Sequence, residues 1–461
     1  MPTPSDLFLS PDLTEDQARA YLRSLGFRDV AAVDEQFQRL ADDIVVREAL
    51  GRLAPDLLPA ILESPNPDGA VAGIAQYVSS RSGRAMFLDY LREDPRALHV
   101  LTYVMGASPH LSDILIRTPE YFHWLVSQVE RSAPDRQDHE EELVSAFTTI
   151  DDPVEGLNLL RRWKRRETLR IGTRDLLRHE TVLTASAQLS DVASVAIDFA
   201  LAIVMQQRLD AAGRERPPGT FAVIGTGNLG GREMSYAADV ELLYVYDALA
   251  ADGADVSAAD NFFVGVGRDL TAALREETHD GTLYRVELPA WPQADGALKA
   301  CSLAEYADHY GSASDIVERL ALTRARAIAG DADLGARFTA MCQPLLYRDG
   351  ARAHVPMPDT SHRPGLEIER LTQAFQLSHG ARHAGLRYAG TLAALEALGR
   401  TGLIPDPVLR ELDHAYVFLR TAEHRRQLGL GDADVDRQVQ ASRERVRAVC
   451  QSFGGLGDRS I

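Results

Sequence analysis

The chain reads as an α+β protein, a small mixed sheet flanked by helical N-terminal and C-terminal domains. Helical periodicity dominates residues 1–212 and again 351–461. A polar linker rich in proline and glycine, Gly213–Gly219, interrupts that pattern, and short apolar runs of strand character follow it. The expected domains are therefore a helical domain over 1–212, a compact α/β unit over 213–350 and a helical bundle over 351–461. Three domains suit a chain of 461 residues, since one hydrophobic core rarely serves more than roughly 150–200 residues.

In the first domain two helix starts are marked. Ser108-Pro109 and Thr118-Pro119 each place a hydroxyl at a cap position and a proline at the first helical position, where its missing N–H costs nothing. Leu111, Ile114 and Leu115, then Phe122, Leu125 and Val126, recur at helical spacing. Arg161 to Arg174 forms a helix carrying Arg161, Arg162, Lys164, Arg165, Arg166, Arg170 and Arg174. Two readings fit it: a solvated face in an acidic protein, or cations offered to phosphate or an acidic partner. Val192 to Met205 is the most apolar stretch; Ser194 and Asp198 interrupt it, and as a short segment it reads as a buried helix rather than a membrane span.

Beyond the linker, Thr220 to Thr226 and Val240 to Tyr246 read as strands, Phe262 to Glu277 as a helix, and Leu283 to Leu288 as a third strand after the His279–Gly281 turn. A loop around Pro356 to Pro364 leads into helices from about Glu369 to Phe453, broken at Gly402 to Pro407.

A formal net charge of −18 excludes a protein that wraps nucleic acid or lies on anionic lipid, since both need a surplus of lysine and arginine. Neither a nucleic acid nor a membrane is expected as a partner. Cys301, Cys342 and Cys450 lie far apart, without paired spacing for zinc or redox work, as expected of a reducing cytoplasm. The N-terminus carries no signal-peptide pattern.

The informative stretch runs from Ile224 to Leu243. A strand ends in a turn crowded by Gly225, Gly227, Gly230 and Gly231, where backbone N–H groups can approach a phosphate closely. The spacing Gly225-x-Gly227-x-x-Gly230 fits the dinucleotide-binding expression, but the βαβ unit and ribose-binding acid that give it meaning do not follow. Asp239 and Glu241 come next, two apart where the chain becomes strand, so both point to one face. Neighbouring carboxylates in an apolar strand are costly unless a cation neutralises them, and Mg2+ characteristically takes one or two carboxylates plus substrate phosphates. Glu287, between Val286 and Leu288, adds a third acid. Three such acids beside a glycine turn can hold two metals for in-line displacement at phosphorus. Solvent-facing acids on a half-buried sheet are the plainer alternative.

This order of features resembles the polymerase-β-type nucleotidyltransferase superfamily. Leu229 to Asp247 more closely resembles the signature of glutamine synthetase adenylyltransferases. The likeness continues through Asp280 to Glu287, Glu318-Arg319, Arg324 to Arg326, Ala329 to Asp331, Glu367 to Gln373, and Ala415 to Arg425. The resemblance implies a nucleotidyltransferase domain at 213–350, with Asp239, Glu241 and Glu287 as catalytic metal ligands. Gly227, Gly230, Gly231, Arg232, Arg324 and Arg326 would bind the nucleotide. It further implies Mg2+ or Mn2+, with ATP or ADP and phosphate as substrates. Members usually contain two such halves, one attaching AMP to a tyrosine of glutamine synthetase and one removing it by phosphorolysis. Both answer to PII signalling proteins and glutamine. This chain has the length of one half and resembles each in different segments.

Several positions depart from the signature. Asn228 stands where the family has lysine, Glu241 and Glu287 where it has aspartate, Pro289 and Trp291 where it has two arginines, and Leu366 where it has a further arginine. Each lost cation would remove about 2–4 kcal/mol of transition-state stabilisation. Two expectations follow: an enzyme of low turnover moving AMP to or from glutamine synthetase or another protein, or a weakened relative kept as a regulatory or binding module. Glu367 and Glu369 are the last candidates. On a helix they lie about 200° apart and cannot share a site; on a strand they could.

Overall fold

A computed structural model describes residues 2–248, 256–287, 289, 291–294, 297–312, 315–347 and 363–453. Leu288 and most of the loop around Pro356 lie outside the described residues. The architecture is α+β, mostly helical with a small mixed sheet. The chain divides into two compact units by packing. One comprises Met1–Ser132, Arg165–Thr181 and Arg425–Gly431; the other comprises Ala133–Lys164, Val182–His424 and Asp432–Ile461.

The first unit is helical. Ser108 caps Pro109–Arg117 by accepting the Leu111 N–H at 3.3 Å, with proline at the first position. Thr118 instead closes that helix by donating its N–H to Ile114, and the next helix begins only at Tyr121 after one turn. In the segment 165–181 the basic residues do not form a solvated face. Arg170 is 1% exposed and pairs with Glu167 at 2.7 Å. Arg174 pairs with Glu180 at 2.8 Å and donates to the Gln128 carbonyl at 3.1 Å.

The second unit holds the sheet. Strands β1 (Gly219–Thr226), β2 (Val240–Ala248), β3 (Val286–Glu287), β6 (Cys301–Ser302) and β7 (Arg326–Gly330) form it, and β4 (Gln293–Ala294) with β5 (Ala297–Leu298) make a separate hairpin. The order is β3-β2-β1-β7, with β6 also on β2; β1 runs antiparallel to β2 and β7, while β3 and β6 run parallel to β2. Among the described residues the third strand pairs over Val286–Glu287, shorter than the sequence suggests. The helix Val182–Ala212 packs on β7 and on the helix Val256–Arg275. At 31 residues it is long and apolar enough to cross a membrane, but 67% of its most apolar window is buried inside the fold. Burial, not shortness, marks it as a core helix. The basic residues 161–164 are also committed: Arg161 is buried against Glu276 at 2.8 Å, and Arg162 bridges Glu155 and Asp280. Burying these long side chains demands paired carboxylates, and the chain supplies them from remote segments.

Side chains alternate across the sheet. On one face Phe221 and Tyr246 stack on Phe263 of the helix Val256–Arg275, and the Tyr244 hydroxyl meets Thr271 at 3.0 Å. On the other, Ala222, Ile224, Leu243 and Val245 join Tyr306, Tyr310, Leu320, Leu322, Phe338 and Leu377 in a core. The functional candidates lie where this second face runs out.

Candidate functional site

The register fixes the site. Ala222 pairs with Val245 and Ile224 with Leu243, both within the apolar core; the next row along the same face is Thr226, Glu241 and Glu287. Glu241 and Glu287 are direct partners across the parallel β2/β3 pair, so two carboxylates stand side by side where the hydrophobic rows end. Asp239 immediately precedes β2, and its carboxylate takes Arg285 at 3.0 Å. The structure thus brings Glu241 and Glu287 together and commits Asp239 to an arginine. Among the described residues no three His, Cys, Asp or Glu side chains gather into a metal-holding group.

Above this row is a cavity of about 260 Å³, lined by Thr226, Gly227, Glu241 and Glu287 from the sheet side. The helix Leu366–His379 contributes Leu366, Glu369, Arg370 and Gln373, an i, i+3, i+4, i+7 set on one helical face. Glu367 points the other way, toward Arg443 and Arg447 at 3.8 and 3.6 Å. The two acids diverge as helix geometry requires, and only Glu369 belongs to the cavity. Pro289, Trp291, Tyr310, Val317, Ala321 and Leu322 supply its less polar wall.

The glycines have distinct reasons. Gly227 has φ 53°, and a Cβ there would lie 2.0 Å from the Glu241 Oε1, so the bare backbone lets the carboxylate rest on the turn. Gly230 and Gly231 do not line the cavity. A Cβ on Gly230 would strike the Arg324 carbonyl, and one on Gly231 would strike the Arg324 guanidinium. Both positions are glycine where Arg324 packs against the backbone.

Arg324 lines the cavity but is buried between Glu233 and Glu369, the latter at 2.9 Å. Glu233 is further held by the Thr391 N–H at 2.6 Å and the Tyr416 hydroxyl at 2.8 Å. Arg326 lies off the cavity: its guanidinium donates to the carbonyls of Leu229 at 2.9 Å and Gly230 at 3.2 Å, pinning the glycine turn, and burial lowers its pKa to about 10. Arg232, in the left-handed region at φ 58°, turns outward to Asp191 at 2.6 Å. Of the three arginines expected at the nucleotide, the structure therefore leaves only Arg324 at the cavity, and that one in a structural network.

Two other arginines face the cavity, and the sequence reading missed both. Arg363 donates to the Asn228 side-chain oxygen at 2.8 Å and stands 4.0 Å from Glu241 and 3.6 Å from Glu369. Asn228 is thus the anchor for a cation arriving from elsewhere in the chain. Arg370 makes no ion pair among the described residues, and its hydrogen bond to Gln373 is long, at 3.5 Å. Burial lowers its pKa, with Glu369 and Glu241 opposing and Arg363 and Arg324 reinforcing the shift. One signal was available for Arg370: it lies one helical turn beyond Leu366.

The acids respond to this setting in opposite ways. Burial raises the Glu241 pKa; Arg363 and Arg324 oppose that, while Glu287 and Glu369 reinforce it. Burial also works against the Glu369 carboxylate, but Arg324, Arg363, Arg420 and Arg370 together hold its pKa below the usual value. Chemically the site offers a pair of oxygen donors suited to a hard divalent cation, arginines suited to phosphate, and an aromatic flank.

Residues 98–341 match the family model described as glutamate-ammonia ligase adenylyltransferase, and residues 365–454 match that of GlnD PII-uridylyltransferase. The chain belongs to the glutamate-ammonia ligase adenylyltransferase family. It is 28% identical to the bifunctional glutamine synthetase adenylyltransferase/adenylyl-removing enzyme of Thioalkalivibrio sulfidiphilus, over 95% of this chain and 50% of that protein. It is 30% identical to the like-named enzyme of Burkholderia pseudomallei, over 96% of this chain and 51% of that one. The chain spans about half the length of the curated relatives it matches.

Proposed function

We propose that the cavity binds a nucleotide and that the chain moves AMP to or from a protein tyrosine, with glutamine synthetase as the acceptor or donor. The observation that carries this is the row Thr226, Glu241, Glu287 on the cavity floor, with Gly227 directly against Glu241 and Arg363 and Arg370 facing it. Glu241 and Glu287 fit Mg2+ or Mn2+: their donors are hard oxygens, they are adjacent, and burial makes an unneutralised carboxylate at Glu241 unfavourable. Asp239, paired here with Arg285, would be the third acid of that set. The bound metal supplies charge neutralisation and polarisation at the α-phosphate. The chain's own part is to hold phosphate oxygens with Arg370 and Arg363, and to let them approach the turn at Gly227. ATP serves transfer to the tyrosine; phosphate, yielding ADP, serves removal. A PII-type protein is the proposed regulator, in keeping with the match over residues 365–454.

A second reading, a regulatory module of weak activity, has one observation in its favour: Arg363 already lies between Glu241 and Glu369, where it competes with an incoming cation.

The first test is thermal. Mg2+ with ATP should raise the melting temperature, because a ligand that prefers the folded state stabilises it. That shift should fade as the pH falls, starting above the ordinary glutamate range, because the raised pKa of Glu241 lets a proton displace the metal early. Without ligand the sign reverses: the folded state holds the Glu241 proton more tightly than the unfolded chain, so its contribution is lost as pH rises through the folded pKa. A ligand shift independent of pH would remove Glu241 from the metal site.

A further inference from the structure

The metal and phosphate chemistry leaves one flank of the cavity unused. Trp291 lies flat against His309, ring centroids 3.7 Å apart and 9° between planes. Tyr306 and Tyr310 meet the same indole edge-on, at 5.1 and 5.7 Å. The imidazole is itself tied down, its Nε2 lying 2.9 Å from the Glu318 carboxylate. Trp291 lines the cavity and His309 does not. The imidazole therefore covers one face of the indole, while the indole itself reaches the cavity. Among the described residues the indole N–H has no hydrogen-bond acceptor.

We propose that Trp291 is the base-recognition platform of this site, stacking on the purine ring of the nucleotide; this rests on the nucleotide reading above. A large aromatic held rigid by His309, Tyr306 and Tyr310 loses little freedom when a flat ligand stacks on it. Its position is also apt: Trp291 follows Glu287 by four residues, so the chain that supplies an acid to the floor next supplies the flank. The consequence is selectivity for the base, purine over pyrimidine.

Calorimetric titration of the full chain with Mg2+ present tests this, using ATP, CTP and inorganic tripolyphosphate as probes. The wild type should bind ATP more tightly than CTP. Trp291→Leu should weaken ATP about tenfold or more, the scale of one base–aromatic stack, and erase the preference over CTP. Tripolyphosphate affinity should be unchanged, which also shows that the variant retains a folded site. Trp291→Phe should recover most of the ATP affinity. Unchanged ATP binding in Trp291→Leu, or an equal loss for ATP and tripolyphosphate, would overturn the platform while leaving the nucleotide reading intact. If the wild type bound neither ATP nor tripolyphosphate, both would fall together.

Discussion

Replacing Arg324 with leucine should lower the unfolding free energy by about 3–5 kcal/mol, the usual cost of removing one partner of a buried charge network. The guanidinium is 4% exposed and sits between the carboxylates of Glu233 and Glu369, 11% and 5% exposed. Leucine fills part of the volume but removes the nearest cation of both acids, leaving Glu369 the more distant Arg363. The loss should shrink at acidic pH, and the sign follows from Glu369. Its folded pKa lies below the unfolded value, so the stability it provides is present above the unfolded pKa and disappears as pH falls through the folded one. Without Arg324 the carboxyl protonates more readily, and a neutral acid is cheaper to bury. Urea denaturation of both proteins at neutral and mildly acidic pH measures this. A loss below about 1 kcal/mol, typical of exposed ion pairs, would show that Arg324 is not the buried hub the geometry describes.

Glu241→Gln should cut AMP transfer or removal by about 100-fold or more, the scale of losing a preorganised electrostatic group at the reacting phosphate. The amide keeps the shape that rests on Gly227 and removes only the charge. Because burial, Glu287 and Glu369 already disfavour that charge, the ligand-free variant should melt no lower than the wild type. Activity and stability should therefore move apart, as expected where function is maintained at some cost in stability. Equal loss of both would indicate a packing role for Glu241.

Much of this was legible in the sequence because it rests on local periodicity. Alternation placed β1 and β2, and the register sets Glu241 beside Glu287; the helix at 366–379 decides between the two readings of Glu367 and Glu369. Charges misled where their partners are remote. The basic helix near Arg165 read either as a solvated face or as cations for phosphate or an acidic partner, yet Arg161 finds its acid at Glu276, across 115 positions of sequence. Arg326 read as a phosphate ligand, yet it serves the carbonyls of Leu229 and Gly230, 97 and 96 positions away. Asn228 read as a lost cation, while the arginine that replaces it arrives from position 363. Propensity and spacing carry no information on such pairings, because they are decided by which elements pack together.

The most direct test of the central claim is transfer of label from α-labelled ATP to glutamine synthetase, with release of AMP from the modified enzyme by phosphate measured in parallel. The account predicts slow but measurable turnover in one direction, dependent on Mg2+ or Mn2+ and lost in Glu241→Gln. No turnover in either direction, with no nucleotide bound, would contradict it.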